Sequence, residues 1–359
     1  MKLTNYEEDL LKGKYGPVLK RCMEILVAVG ECYEAESMVP VTSVHIAGNY
    51  PVLMDEGVEW LEELANEGLK VKVFTTKNPE MFDFEDFKEL NVPERFIEKQ
   101  LRIDKALKSL GVTLFYSCHH YLLGNTPRFK DHIAWASSGS QVYANSIIGA
   151  RSNRDGDHVG ICAALTGVVP AWGMHLDENR KGQILIDVTN LDFNKLNHAD
   201  CQALGWQIGK KIGEKTPVFK GLPPNLNIEK IKGLLYTITV TGAIGMVHLV
   251  GITPEAPTVE AAFGTEEVKE EPIVISKDEI YKAYGEISSA KDEKVDLVIF
   301  GCPQCTIQDI EKAAQLLEGK KVHKDTELWI CTSRWCKELS KRMGLIDIIK
   351  KAGGRLVAD

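Results

Sequence analysis

The sequence lacks the long apolar runs of membrane proteins, the excess of basic residues of nucleic-acid-binding proteins and the even set of cysteines of a secreted disulfide-bonded protein. No apolar run approaches the roughly 18 residues that a membrane-spanning helix needs, and the start, MKLTNYEEDLLKGKYG, has early acids and no apolar signal-peptide core. With 43 basic and 51 acidic residues, the net charge of −8 provides no basic face for nucleic acid. The nine cysteines are odd in number and scattered, which indicates reduced thiols. We therefore predict a cytoplasmic globular protein that binds neither membranes nor nucleic acid.

A chain of 359 residues is long enough for two or three domains. Strand-like and helix-like segments alternate along it, which predicts an α/β fold with parallel sheets. We place the domains at 1–150, 151–280 and 281–359, and their segments can interleave. The charged segment TEEVKEEP at 265–272 ends in proline and is the predicted linker.

Apolar periodicity and the positions of glycine and proline predict the individual elements. The predicted strands are VTSVHIAG (41–48), VKVFTT (71–76), VTLFYSC (112–118), GQILIDV (182–188), LLYTITVTG (234–242), MVHLVGI (246–252), VDLVIFG (295–301), ELWICTS (327–333) and GRLVAD (354–359). The predicted helices lie within 6–35, 57–69, 96–110, 307–317 and 337–352, and a further helix begins near Ser140.

Three cysteines occur at or near the ends of predicted strands. Cys118 ends VTLFYSC, Cys302 follows VDLVIFG, and Cys331 lies near the end of ELWICTS. In parallel α/β sheets the carboxyl ends of the strands carry the chemistry, because the turns there open into helix N-termini. Thiols at two or three such edges are what a metal centre built between domains needs.

Several interpretations of these thiols are open. Cys302 and Cys305 form a strand–CxxC–helix unit, which suits a thioredoxin-like redox pair. A CxxC is also half of a zinc site, although no second pair follows at the usual spacing. Free cysteines are often simply buried. The remaining interpretation is an iron–sulfur cluster; if three thiolates hold it, one open iron acts as a Lewis acid and can help hydroxide leave a β-hydroxy acid.

Four segments resemble the aconitase X family over nearly the whole chain. They are YSCHHYL (116–122), ANSIIGARSNRDGD (144–157), GCPQCTIQDIEKAAQLLEGKKV (301–322) and CTSRWCKEL (331–339). GARSNRDG is also similar to the Ser-Asn-Arg segment of ordinary aconitases, where arginine and asparagine hold a substrate carboxylate. The resemblance implies an aconitase-like multi-domain assembly of three-layer parallel-sheet domains with the active site between them.

The resemblance also implies a reaction and a partner. Archaeal members of the family are hydro-lyases that convert (R)-5-phosphomevalonate to trans-anhydromevalonate 5-phosphate on a mevalonate route to isoprenoids. Bacterial relatives dehydrate cis-3-hydroxy-L-proline, which is the alternative substrate. The family pattern is a large subunit with an iron–sulfur cluster, expected to be [4Fe–4S] with one open iron, and a small subunit whose swivelling domain supplies a serine base.

By resemblance, Cys118 and Cys302 are two cluster ligands. The third family cysteine follows an aspartate after the last strand, so we expect its counterpart beyond Asp359; the alternative is that this chain cannot hold a full cluster. Cys331 does not match a ligand position and is expected to support the site or the core.

The substrate-binding residues implied by the resemblance lie in three short segments. Gly48-Asn49-Tyr50 stands where archaeal relatives usually have Gly-Val-Ser, so main-chain contacts would persist and a serine contact would not. Asn78-Pro79 is similar to the family's substrate loop. Ser138-Gly139 falls where relatives commonly have Ser-Ser, in a loop of small residues suited to oxyanions.

Arg151, Asn153 and Arg154 form the candidate anion-binding group, because a guanidinium matches carboxylate or phosphate. The alternative is a solvated charge cluster with Asp155 and Asp157. A second group follows Cys118: His119 and His120 are expected either to donate to cluster or substrate or to be ordinary polar residues, and His175 is a weaker candidate of the same kind.

Overall fold

The computed structural model describes residues 1–80, 82–265, 268, 271–290 and 293–359. The chain forms two compact units, each built from separate stretches. Unit 1 comprises Met1–Ile46, Val71–Thr75 and Gly124–Ser289, and unit 2 comprises Ala47–Lys70, Thr76–Leu123 and Ala290–Asp359. The three domains placed from the sequence at 1–150, 151–280 and 281–359 stay a prediction. The predicted linker at 265–272 lies largely outside the described residues.

Helices and strands alternate along much of the chain. The α-helices are α1 (Asn5–Leu11), α2 (Pro17–Cys32), α3 (Tyr50–Asn66), α4 (Glu94–Leu110), α5 (Ser138–Tyr143), α6 (Asp157–Thr166), α7 (His198–Ile212), α8 (Ile228–Gly242), α9 (Val259–Phe263), α10 (Lys277–Ile287), α11 (Ile307–Leu317), α12 (Arg334–Arg342) and α13 (Leu345–Ala352). The strands are β1 (Met38–Pro40), β2 (Ser43–Ile46), β3 (Phe74–Lys77), β4 (Ile133–Trp135), β5 (Val168–Pro170), β6 (Ile184–Asp187), β7 (Pro217–Lys220), β8 (His248–Leu249), β9 (Ile273–Val274), β10 (Leu297–Cys305), β11 (Glu327–Thr332) and β12 (Gly354–Ala358).

The sheets are mainly parallel, so the predicted α/β class is confirmed. In unit 1, the order is β8-β7-β6-β9 with every pair parallel, and β2 also pairs in parallel with β4. β1 and β5 form a short antiparallel pair. In unit 2, β10-β11-β12 is wholly parallel. Parallel strands need helical crossovers, and these crossovers supply the helices that cover such sheets.

The core of the unit 2 sheet lies between the strands and the helices that connect them. Ile330 of β11 and Leu356 of β12 are buried against Ile310 of α11 and Ile349 of α13. α11 begins directly after Cys305 because the Thr306 side chain accepts a hydrogen bond from Asp309 N, and Asp309 accepts one from Thr306 N. This capping box fixes where β10 ends.

The predicted strand LLYTITVTG is wrong, since residues 234–242 form the second half of α8. Asn227 caps the helix, and its buried residues include the apolar Ile231, Leu234, Leu235 and Ile238. Their spacing of three and four residues is helical. The β-branched residues that suggested a strand are carried by a helix whose apolar face is buried, so packing overrides local propensity.

The prediction of a strand at VTLFYSC is also wrong. Thr113 forms one isolated parallel bridge with Thr76, and residues 114–118, all of which are described, are irregular. Tyr116 has a φ of 51°, a left-handed conformation that no strand tolerates. Cys118 therefore lies in a loop rather than at a strand end. The helix predicted at 337–352 is two helices, α12 and α13, separated at Gly344.

Within the part of the chain that the structure describes, no helix has the length and apolar character to cross a bilayer.

Candidate active site

The loop that carries Cys302 is shaped by an irregularity in β10. Pairing with β11 runs from Leu297 to Phe300, then shifts, and resumes at Cys305 opposite Thr332. Gly301 has a φ of +129°, and a Cβ at this position would lie 2.3 Å from the carbonyl oxygen of Cys331. Only glycine fits here. The bulge leaves Cys302 exposed and Cys305 buried.

Gln304 joins Cys118 to this loop, although sequence reasoning did not single it out. The main-chain N–H of Cys118 donates to Gln304 Oε1 at 3.3 Å. Gln304 Nε2 in turn donates to the carbonyl oxygen of Asp359 at 2.7 Å. One buried side chain thus ties together the loop of Cys118, the loop of Cys302 and the end of β12. The structure brings the two predicted ligand segments together by way of this glutamine.

The electrostatics of these thiols favour their protonated form. Desolvation, and then the Asp359 carboxylate, raise the pKa of Cys302. Desolvation, followed by Asp359 and Cys302, raises the pKa of Cys331 to about 12. A thiolate becomes favourable in such surroundings when a cation binds it, because metal binding displaces the proton. A raised pKa disfavours a nucleophilic or redox-active role for Cys302, because the thiolate is the reactive form.

A pocket of about 610 Å³ opens beside the Cys118 loop in unit 2. Its walls include Ser117 and His119 and the residues that cap α11 and α12, Thr306 and Ser333. Trp335 supplies part of its apolar surface. The main-chain N–H of His119 donates to Ser117 Oγ at 3.0 Å, which fixes the backbone at this position. The predicted residue His119 therefore faces a cavity large enough for a small molecule.

The two predicted substrate segments of unit 2 contact each other. Asn49, at the N-terminus of α3, donates from Nδ2 to the carbonyl oxygen of Pro79 at 3.5 Å. The Asn49 side chain is buried, and its Oδ1 accepts no hydrogen bond from any described residue. A buried acceptor without a donor is costly. Such an atom suits a ligand hydroxyl or N–H group.

A buried ionic cluster, which sequence reasoning missed, surrounds these segments. Lys77 Nζ lies 3.6 Å from Glu80 Oε1 and 3.4 Å from Asp104 Oδ1. The ammonium also lies 4.8 Å from the ring centre of Tyr116, two residues before Cys118. Burial raises the pKa of Glu80 to about 8, and the Lys77 charge opposes this shift. The signal in the sequence that could have suggested this ionic cluster is a lysine at the end of a strand, followed by Asn-Pro-Glu.

The arginines of unit 1 differ in their surroundings. Arg151 is buried, donates to the carbonyl oxygen of His175 at 3.2 Å, and pairs with Asp177. Arg154 is exposed and donates from Nη1 to the carbonyl oxygen of Thr239 at 3.2 Å. Arg151 thus holds neighbouring chain in place, whereas the Arg154 guanidinium is accessible to an anion.

Asn153 uses both ends of its side chain within unit 1. Its Nδ2 donates to the carbonyl oxygen of Trp172 at 3.0 Å, and its Oδ1 accepts from Met174 N–H at 2.8 Å. The weaker candidate His175 lies on the same segment, with its Nδ1 2.9 Å from His132 Nδ1. Arg151 and Asn153 together therefore fix residues 172–177. Their proposed contact with substrate stays a prediction.

Ser138 and Gly139 begin α5, close to the helix start predicted near Ser140. Ser138 is half-buried, and Ser140 Oγ donates to the carbonyl oxygen of Ser137 at 3.1 Å. A Cβ on Gly139 would lie 2.1 Å from Cε1 of Tyr236 in α8. The glycine is therefore required by the packing of α5 on α8, which explains its presence beside Ser138 without a ligand.

Comparison with known proteins gives consistent matches along the chain. Residues 1–178 match the first domain of aconitase X, residues 182–285 the second and residues 295–359 the third. The chain is 39% identical to a phosphomevalonate dehydratase large subunit from Methanocaldococcus jannaschii, over 100% of this chain and 88% of the relative. It is 28% identical to a cis-3-hydroxy-L-proline dehydratase from Pseudomonas aeruginosa, over 100% of this chain and 61% of the relative.

A solved structure agrees with these matches. The crystal structure of aconitase X from Thermococcus kodakaraensis in its holo-form has a TM-score of 0.87 and 34% sequence identity, and the match covers 100% of this chain and 88% of that one. The similarity extends through both units, so the expected aconitase-like fold is confirmed. The chain belongs to the aconitase X family.

Proposed function

We propose that this chain is the catalytic large subunit of an iron–sulfur hydro-lyase that dehydrates (R)-5-phosphomevalonate to trans-anhydromevalonate 5-phosphate. The structural observation that carries the proposal is the Gln304 side chain, which ties the main chain of Cys118 to the loop of Cys302. The relative from Methanocaldococcus jannaschii, 39% identical over the whole chain, supports the substrate. The setting is a mevalonate route to isoprenoids in the cytoplasm.

Cys118 and Cys302 are the residues that would hold the cluster. They fit it because thiolates are the usual ligands of iron–sulfur centres, and the raised pKa of Cys302 makes a bound cation the natural stabiliser of its thiolate. When bound, a [4Fe–4S] cluster with one open iron would supply Lewis acidity that assists departure of the substrate hydroxyl. Gln304 keeps the two loops in register for that role.

The other predicted residues bind and orient the substrate. In unit 1, the accessible guanidinium of Arg154 binds an anionic group of the substrate. Arg151 and Asn153 hold residues 172–177 in place. Ser138 and Gly139 are assigned to the phosphate oxygens. In unit 2, the roles fall to His119, Asn49 and main-chain groups of Gly48, Tyr50, Asn78 and Pro79. Asn49 Oδ1 is suited to accept a hydrogen bond from a substrate hydroxyl.

The elimination needs a base that we assign to a partner. A serine on the small subunit, acting as its alkoxide, takes the proton from the carbon next to the carboxylate, and the electrons of that C–H bond form the C=C bond. The C–O bond breaks and its electron pair leaves with the hydroxyl as hydroxide, which takes the proton from the serine to give water. Water is the leaving product, and no oxidation or reduction takes place. The name "large subunit" carried by the relative supports the existence of such a partner.

Two other functions are less well supported. The relative that acts on cis-3-hydroxy-L-proline is 28% identical, and this chain spans 61% of it. A non-catalytic redox role for Cys302 and Cys305 is disfavoured, because the pKa of Cys302 is raised rather than lowered and Cys305 is buried in the core. A zinc role is less well supported, because no second CxxC follows at the usual spacing.

The test is anoxic assembly of this chain with its small subunit, iron and sulfide, followed by assay against both substrates. We expect broad visible absorption from the cluster and dehydration of (R)-5-phosphomevalonate in preference to cis-3-hydroxy-L-proline. Turnover that survives complete removal of iron by chelation would show the proposal to be wrong. A preference for cis-3-hydroxy-L-proline would leave the proposal of a cluster standing and would show that the proposed substrate is wrong.

A further inference from the structure

The predicted substrate segment Gly48–Tyr50 is held by one side chain of α4. Gln100 Nε2 donates to the carbonyl oxygen of Gly48 at 3.1 Å, and Gln100 Oε1 accepts from the N–H of Tyr50 at 2.9 Å. Gln100 is fully buried. A buried amide that satisfies one acceptor and one donor of the same short segment fixes the conformation of that segment, because breaking either bond leaves a buried polar group unpaired.

Gln100 is itself oriented by the ionic cluster. Its Nε2 also donates to Asp104 Oδ1 at 2.9 Å, one helical turn further along α4. Asp104 receives a second hydrogen bond, from the hydroxyl of Tyr116, at 3.2 Å. These two bonds fix the carboxylate, and the carboxylate in turn decides which end of the Gln100 amide points toward Gly48.

Lys77 extends the same chain of contacts to the second predicted segment. Its Nζ lies 3.4 Å from Asp104 Oδ1 and donates to the carbonyl oxygen of Asn78 at 3.4 Å. Its side chain, which is fully buried, also packs on Gly48, where an added Cβ would lie 3.1 Å from Lys77 Cγ. A lysine in this setting is held by its acidic partners, since a buried charge without one is costly.

We propose that Gln100, oriented by Asp104 and Lys77, is a positioning residue that holds Gly48–Tyr50 and Asn78–Pro79 in the arrangement that binds substrate. The contact between Asn49 and Pro79 then joins two segments, each of which is also held by the buried ionic cluster. This inference rests on the proposed function for its substrate. Its structural part, the fixing of the two segments, does not.

The experiment compares Gln100→Leu with Gln100→Glu in the assembled holoenzyme. Leucine removes both hydrogen bonds to Gly48 and Tyr50, whereas glutamate keeps the acceptor for the Tyr50 N–H. The control is Gln207→Leu, which removes a buried helical glutamine of α7 outside the predicted site. KM and kcat for (R)-5-phosphomevalonate are measured, together with hydrogen–deuterium exchange of peptides spanning 47–53 and 77–80 in the large subunit.

We expect Gln100→Leu to raise KM at least tenfold with a change in kcat of less than about threefold, because loosened binding segments weaken ground-state and transition-state binding alike. Exchange should increase in both peptides. Gln100→Glu replaces the Nε2 donor with an oxygen that faces Asp104 and the Gly48 carbonyl, so KM should rise as in Gln100→Leu, whereas exchange at Tyr50 should stay slower than in Gln100→Leu. Gln207→Leu should leave KM and the exchange of both peptides unchanged.

The outcomes separate the two proposals. If the wild-type assembly is active and Gln100→Leu leaves KM within twofold, or lowers kcat alone, the positioning role is wrong. Unchanged exchange at 47–53 and 77–80 in Gln100→Leu also overturns it. If the wild-type assembly does not dehydrate the substrate, the proposed function fails, and the exchange measurement alone decides whether Gln100 fixes the segments.

Discussion

At the scale of single residues, the sequence suggests Cys118 and Cys302 as candidate ligands but gives no sign of the side chains that hold their loops. Cys118 and Cys302 stand out because thiols are rare and lie in recognisable segments. Gln304 gives no such signal, since a glutamine inside CPQC can point in any direction. Its role depends on contacts with Cys118 and Asp359, which are distant in sequence. The same holds for Gln100 and Asp104, whose spacing on α4 is also common on exposed helix faces.

Gly301 provides the sharpest residue-scale prediction. Gly301→Ala places a methyl group 2.3 Å from the Cys331 carbonyl oxygen at a φ of +129°, so we expect a loss of about 2–4 kcal/mol in the free energy of unfolding. Cluster loading should fall with it, because the Cys302 loop must move. Thermal unfolding and iron content are the measurements.

Gly319→Ala is the matched control for that variant. Gly319 also has a left-handed φ, +73°, but an added Cβ would meet nothing within 4 Å. It therefore reports backbone strain alone, about 1 kcal/mol. Equal losses in the two variants would mean that the close approach to Cys331 has no energetic weight.

Glu80 predicts how stability depends on pH. Burial raises its pKa to about 8 from the ordinary 4.5, so from about 4.5 upward the unfolded chain releases this proton while the folded chain keeps it until about 8. The contribution of Glu80 to the free energy of unfolding, which is fully present below pH 4.5, is therefore lost as the pH rises to 8. Glu80→Gln lacks this loss, and its advantage over wild type should grow by a few kcal/mol across that range, at roughly 1.4 kcal/mol per unit.

Urea unfolding of the large subunit between pH 5 and 8 measures this difference. Glu85→Gln, at an exposed position five residues away, should follow the wild-type curve. A constant offset between Glu80→Gln and wild type at every pH would show that Glu80 ionises normally in the folded protein.

At the scale of elements, the success of a prediction depended on whether local signals agreed with packing. The bounds predicted for α11, 307–317, are confirmed because the capping box at Thr306 and the apolar period point the same way. The strand prediction for segment 234–242 of α8 is wrong because a run of β-branched residues, 237–241, resembles a strand until the buried face of the whole helix is considered. The strand predicted before Cys118 failed because a single residue, Tyr116, turns the backbone.

The contact between α5 and α8 gives an element-scale prediction. Gly139→Ala would place a Cβ 2.1 Å from the Tyr236 ring, so the two helices must separate or the ring must move. We expect a loss of about 1–3 kcal/mol from overpacking. Replacing the ring as well, in Gly139→Ala with Tyr236→Leu, should recover part of this loss relative to the sum of the single variants.

A double-mutant cycle on urea-unfolding midpoints tests that coupling. A double variant whose loss equals the sum of the two single losses would mean that the packing against Tyr236 does not require Gly139.

At the scale of the whole molecule, similarity along the complete chain identifies a fold and an activity that no single motif establishes. GCPQC alone is compatible with redox, zinc and iron–sulfur chemistry, and an Arg-Ser-Asn-Arg segment alone is compatible with any anion. Matches to all three domains of aconitase X remove most of these alternatives. The proposed cluster ligands, Cys118 and Cys302, come from distant stretches of unit 2, so the proposed site depends on the completed fold.

The last prediction asks which thiols hold the cluster. Cys118→Ser and Cys302→Ser should each lose most of the bound iron, the visible absorption and at least about 10³-fold in turnover, because each removes a metal ligand. Cys305→Ala should keep all three, since Cys305 is buried in the core beside Ile310 and Ile330. Alanine is chosen there because a serine hydroxyl would be buried in apolar surroundings. A redox protein would respond in the opposite way, with Cys305→Ala as damaging as Cys302→Ser, and that result would exclude a cluster held through Cys118 and Cys302.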